Sequence, residues 1–299
     1  MMLIYYYVIT YSLVAISTFL VSANNLSLIV GPVVGSRLAK PQAAILMAAA
    51  GYILGLVIQG RSMNVYHVPQ PGPAVLFAVS LVVFTIGEGS RIPMSITNSL
   101  YMSINGIRLV NGGLLGNFYT VVGYWFITPV ILAVFSYLVY LVIRYYSAAN
   151  PIRYIAWFKL LVIILSFMVA YSFGANNLGL VWALSGPSLG NLLLISAVSV
   201  LGAIVGGRRT LGAYGRMYGF GPMTGTAAQL SVFIAMEVAT VFSIPMTLTL
   251  SVTGSLLGLA FAHRFRFINV NYVYLVLMGY FASLLLSLSL AFIIFKIIV

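Results

Sequence analysis

Eight apolar runs, at 3–22, 42–59, 73–87, 119–143, 155–173, 188–205, 227–242 and 269–298, alternate with short polar stretches along the chain. Most approach the ~20 residues an α-helix needs to cross the hydrocarbon core of a bilayer. Shorter apolar pieces begin at Leu26, Pro93, Leu178 and Pro245, bounded by Asn, Gly, Pro and Ser. Such pieces predict half-helices and re-entrant turns, because irregular backbone at membrane depth survives only inside protein or along a cavity. The pattern predicts an all-α polytopic membrane protein of roughly 10–12 transmembrane segments, broken ones included. The first run lacks a basic leader and a small-x-small cleavage site, so it reads as a retained span.

The polar interruptions repeat. Ala23-Asn24-Asn25-Leu26 recurs as Ala175-Asn176-Asn177-Leu178, an offset of 152. Ile92-Pro93-Met94-Ser95-Ile96-Thr97 recurs as Ile244-Pro245-Met246-Thr247-Leu248-Thr249 at the same offset, and Ser99, Ser103 and Gly106 map onto Ser251, Ser255 and Gly258. Gly31-Pro32 matches Gly186-Pro187 at 155, so the second copy carries three extra residues there. Two motifs at one offset predict a duplication into residues 1–150 and 151–299. An odd number of spans per half inverts the second copy relative to the first, with a site where the copies meet near the midplane.

Composition narrows the solvent. The chain has 299 residues, 62% hydrophobic and 5% charged, with mean hydropathy +1.12. Two acidic and 14 basic side chains cannot cover a water-exposed surface, so the partner of most of it is membrane lipid. Twelve of the 14 basic residues (Arg37, Lys40, Arg61, Arg91, Arg108, Arg144, Arg153, Arg208, Arg209, Arg216, Arg264 and Arg266) punctuate apolar runs as loop charges do, rather than forming a nucleic-acid face. Tyr5, Tyr6, Tyr7, Tyr145 and Tyr146 read as interfacial belt residues. With no cysteine and two distant histidines, His67 and His263, no metal centre or cofactor is expected. Enzyme chemistry would need converging acids, histidines or a metal; two Glu and two His spread along the chain give no such cluster.

Four asparagines and a set of hydroxyls carry the candidate chemistry. An amide inside an apolar run must find partners that lipid cannot supply. Asn24, Asn25, Asn176 and Asn177 either glue helices together or mark a helix break lining a site; their duplication favours the break. In the second motif, a proline at the first helical position followed by hydroxyls builds a helix N-terminus. Such a terminus carries roughly half a positive charge and binds anions. Ser95, Thr97 and Asn98 are expected on one side of a shared site, with Thr247, Thr249 and Ser251 on the other.

These motifs resemble the PiT family of inorganic phosphate transporters. The family's repeated Gly-Ala-Asn-Asp signature is matched by Ser22-Ala23-Asn24-Asn25 and Gly174-Ala175-Asn176-Asn177. Its Pro-Val-Ser-Thr-Thr-His element is matched by Pro93-Met94-Ser95-Ile96-Thr97-Asn98 and Pro245-Met246-Thr247-Leu248-Thr249-Leu250. Gly206-Gly207-Arg208-Arg209-Thr210 through Gly225-Thr226-Ala227-Ala228-Gln229 is similar to its glycine-rich connector, and Trp125-Phe126-Ile127-Thr128-Pro129 to its Trp-Val-Ile-Ser-Pro segment. The resemblance implies a multi-pass permease of the cell membrane, a homodimer, with Ser95, Thr97, Thr247 and Thr249 on the anion and the Asn-Asp elements on sodium.

Asn25 and Asn177 occupy both family Asp positions, and Ile96 and Leu248 each replace a hydroxyl. A charge about 4 Å from sodium matters by about 4 kcal/mol at an effective dielectric near 20, so losing two undercuts sodium coupling. Glu237, in an apolar run, is the candidate proton carrier instead. Glu88, flanked by Gly87 and Gly89, reads as a loop partner of Arg91. The expected function is a phosphate permease, proton-coupled or passive. The alternatives are a sulfate or other oxyanion permease and a transport-inactive anion sensor or scaffold.

Overall fold

The computed structural model describes residues 2–64, 66, 68, 70–148, 151–207, 221–264 and 268–299. The expectations for His67, Arg208, Arg209, Arg216, Arg266 and most of the connector lie outside the described residues, as do the side chains of Tyr5, Tyr6 and Arg153.

The helices are α1 Met2–Gly35, α2 Pro41–Gln59, α3 Gly72–Ser90, α4 Ile96–Val110, α5 Phe118–Ser147, α6 Pro151–Phe173, α7 Gly179–Ser185, α8 Leu189–Leu201, α9 Pro222–Val241, α10 Leu248–Ala262 and α11 Val270–Ile298. A π turn, Gly174–Leu178, joins α6 to α7 without interruption, and a second, Gly202–Gly206, extends α8. Among the described residues eight helical stretches are long and apolar enough to cross a membrane, one at each apolar run. Together with the two 15-residue helices α4 and α10, these eight spans fall within the expected roughly 10–12 segments, broken ones included.

The helix breaks expected at the asparagines do not occur. The chain does not break at Asn24-Asn25: α1 continues through them and past Pro32 to Gly35, because the Asn25 amide donates to the Val21 carbonyl one turn back (2.9 Å). In the second copy the same motif forms the π turn, and the helix ends at Gly186, whose φ of 91° suits glycine alone. The expected breaks at Pro93 and Pro245 do occur.

Small residues let the backbones meet, as bundles in lipid require. A Cβ on Gly55 would lie 1.8 Å from the Tyr171 carbonyl oxygen, and one on Gly174 2.2 Å from that of Tyr52, so α2 crosses α6 in direct backbone contact. The two short helices pack in exchanged fashion. Gly106 of α4 sits on α11 at the Leu288 carbonyl, while Gly258 of α10 sits on α5 at Ala133 and Ser136. Helix starts follow the sequence offset too: α10 and α11 each begin 152 positions after α4 and α5.

Candidate functional site

The site is built where α3 and α9 stop. Arg91 and Ser243, 152 positions apart, both adopt left-handed backbone (φ 57° and 55°). Each turn is closed by the same hydrogen bond, from Ile92 N–H to the Gly87 carbonyl (3.0 Å) and from Ile244 N–H to the Ala239 carbonyl (2.7 Å). This is the turn by which helices commonly end, here without glycine.

The chain then runs extended before α4 and α10 begin. The expectation that Pro93 and Pro245 open these helices is corrected: each lies three residues ahead of the first helical residue, and Ser95 and Thr247 are the N-caps. Both caps have extended backbone, which lets a hydroxyl face its own helix end. The prolines' carbonyls are held instead. That of Pro93 lies where a Cβ on Gly279 of α11 would meet it at 2.1 Å, and that of Pro245 accepts from the indole of buried Trp125.

The two caps meet. Ser95 Oγ lies 3.4 Å from Thr247 Oγ1, and Thr247 Oγ1 donates to Asn98 Oδ1. Ser95 Oγ accepts the Asn98 N–H (3.3 Å), whereas Thr247 caps no N–H of α10, leaving that helix its first-turn donors. Around the meeting point is a small cavity of about 20 Å³ whose polar wall is Ser95, Thr247, Thr249, Asn24 and Tyr280; Pro93, Met94, Leu250 and Val276 complete the lining. None of these residues carries a charge.

Of the expected contacts, Ser95, Thr247 and Thr249 thus line one cavity, with Asn24 opposite. Thr97, Asn98 and Ser251 are not among the lining residues, and their side-chain oxygens are engaged elsewhere. Thr97 Oγ1 donates to Asn177 Oδ1 (2.7 Å), Asn98 Oδ1 takes the Thr247 hydroxyl, and Ser251 Oγ donates back to the Thr247 carbonyl (3.0 Å). The amide nitrogens of Asn98 and Asn177 are buried with no acceptor among the described residues.

Asn176 is glue. Its Nδ2 donates to Thr240 Oγ1 (3.1 Å) and the Ile244 carbonyl (2.9 Å), and its Oδ1 accepts Met246 N–H (2.8 Å), so the π turn holds the second break in place. One turn before Thr240 on α9 lies half-buried Glu237. Its carboxylate accepts from Gln59 Nε2 (3.1 Å) and the Ser172 hydroxyl, joining α2, α6 and α9. Glu88 is exposed in the last helical turn of α3 rather than in a loop, and no ion pair joins it to Arg91. His263, just beyond α10, packs tilted against the Tyr140 ring with centroids 4.8 Å apart; burial first and the Arg144 charge second lower its pKa below the ordinary imidazole value. Among the described residues no group of three or more His, Cys, Asp or Glu comes together.

Sequence reasoning missed two residues. Trp125 lay in a motif already singled out, yet its role in anchoring the second tip required coordinates. Tyr280 looked like any aromatic in an apolar helix. A signal existed: 152 positions earlier stands Thr128, so both copies carry a hydroxyl there.

Comparison with known proteins follows this geometry. Residues 21–158 match the phosphate transporter family. A protein of Methanocaldococcus jannaschii described as a candidate phosphate permease is 20% identical over 280 residues, spanning 94% of each chain. A solved structure, that of a sodium-dependent phosphate transporter, superposes with a TM-score of 0.81 over 98% of both chains at 15% identity, which makes the fold a shared one. Taken with the paired Asn-Asn and Ile-Pro-Met motifs, these matches make the chain similar to the phosphate transporter family over residues 21–158 and to a phosphate transporter in fold over nearly its whole length.

Proposed function

We propose that this chain is a phosphate permease of the cell membrane that holds its anion between the tips of α4 and α10, in an inverted-repeat arrangement of residues 1–150 and 151–299. The observation that carries the reading is the 3.4 Å approach of Ser95 and Thr247 beside an uncharged, hydroxyl-lined cavity. Two helix N-termini and three hydroxyls can neutralise an oxyanion's charge with dipoles fixed in advance, without burying a cation. Exchanged packing of α4 on α11 and α10 on α5 supports the repeat. The relatives' names supply phosphate as the anion.

Coupling in this reading is to protons. At the positions where the family resemblance calls for carboxylates, Asn25 and Asn177 present donors: one amide donates to Val21, and the other is buried without an acceptor. A buried N–H₂ opposes a nearby cation. Glu237 has neutral hydrogen-bond partners that tolerate both its charged and its protonated form, one helical turn from the Thr240–Asn176 link to the second tip.

The test is radiolabelled phosphate uptake by purified protein in proteoliposomes under imposed sodium or proton gradients. Expected is uptake accelerated by an inward proton gradient, indifferent to replacing sodium with choline, and reduced about tenfold or more by Thr249→Val. Movement of neither phosphate nor sulfate under any gradient would refute transport altogether.

A further inference from the structure

Tyr280 belongs to the cavity in a way the duplicated motifs do not explain. It projects from the middle of α11, is 5% exposed, and lines the space between the two caps. Its hydroxyl is buried and has no hydrogen-bond partner among the described residues. A buried hydroxyl normally finds a partner, and one left alone calls for an explanation. Looseness of the ring does not supply it. The ring is held edge-on by Trp125 (6.2 Å), Phe126 (6.4 Å) and Phe281 (5.5 Å), and Trp125 is itself pinned to the Pro245 carbonyl. The phenol is therefore fixed in direction, and the tip of α10 is tied to the same indole.

We propose that Tyr280 is a substrate contact that favours phosphate over sulfate, an inference that rests on the anion site described above. A phenol is at once a donor and an acceptor, and it keeps its proton at neutral pH. Phosphate at neutral pH offers both bare oxygens, which accept from the phenol, and a P–OH, which donates to it. Sulfate offers oxygens alone, so one side of the phenol stays unpaired when sulfate binds. Sites built to pair with a substrate hydroxyl discriminate most strongly against the analogue lacking it. Two of the other polar wall residues fit this role less well. Ser95 and Thr247 already engage each other, while Leu250 and Val276 beside Tyr280 offer no competing group.

The experiment is phosphate uptake in proteoliposomes with sulfate or arsenate as competitor, comparing wild type with Tyr280→Phe. The phosphate KM is expected to rise about three- to tenfold in the variant, with sulfate inhibition changing less, so that the phosphate-to-sulfate preference falls. On wild-type protein arsenate, which keeps an As–OH, competes like phosphate, and sulfate competes at least about tenfold more weakly. That arm needs no variant to fold. An unchanged KM in Tyr280→Phe, equal shifts for both anions, or sulfate competing as well as arsenate would each overturn the proposal. Thr249→Val separates the two levels of the argument. If it loses uptake while Tyr280→Phe does not, only Tyr280 is dismissed; if both variants transport like wild type, the anion site itself is wrong.

Discussion

Asn177 stands where the family resemblance calls for a carboxylate, and of its amide only the oxygen has a partner. Its Oδ1 accepts from Thr97 and its side chain is almost wholly buried. Asn177→Asp would bury an unpaired charge, costing several kcal/mol. The variant is expected to melt several degrees lower in detergent with choline as the cation, and sodium is expected to restore part of the loss. Thermal unfolding across the two salts checks this, and an unaltered melting temperature would mean that the position is already open to water or ions. At this scale the sequence was readable wherever chemistry was duplicated. Ser95, Thr247 and Thr249 were found because each sits in a repeated motif, and their clustering in one cavity follows from the equal offset. Tyr280 was passed over despite the hydroxyl of Thr128 at the repeat offset, because one tyrosine among 20 in an apolar chain reads as packing or belt. The commitments of Thr97, Asn98 and Ser251 to neighbours depend on side-chain direction, which spacing does not encode.

Among elements, the short helices depend on glycine contacts that no larger residue can make. A Cβ on Gly258 would sit 2.0 Å from the Ala133 carbonyl, and one on Gly106 2.4 Å from that of Leu288; neither backbone oxygen can move aside cheaply. Gly106→Ala and Gly258→Ala are each expected to destabilise by about 1–3 kcal/mol, seen as lower melting in detergent. The opposite sign is expected at Arg91. This exposed residue holds left-handed backbone, so Arg91→Gly relieves about 1 kcal/mol of strain and raises the melting point. Spans were legible because about 20 apolar residues in lipid leave few choices of backbone. The joining of pieces was not. Leu26 and Leu178 looked like fresh starts, but the Asn25 back-bond and the π turn at Gly174–Leu178 keep those helices running. Only where both helix partners stop, at Arg91 and Ser243, does the break survive.

For the molecule as a whole, one helix turn links the proposed proton site to the proposed anion site. Glu237 and Thr240 share α9, and Asn176 ties Thr240 to the backbone at Ile244 and Met246 ahead of the second tip. Glu237→Gln is expected to abolish acceleration of uptake by an inward proton gradient while sparing phosphate exchange at equal pH on both sides. Loss of both activities would instead assign Glu237 a structural role. The central claim, that an oxyanion rests between two facing helix tips without a cationic side chain, is open to direct observation. Crystals grown with arsenate, whose arsenic scatters anomalously, are predicted to show one peak within hydrogen-bonding reach of Ser95, Thr247 and Thr249. A peak beside an arginine elsewhere, with none between the tips, would contradict it.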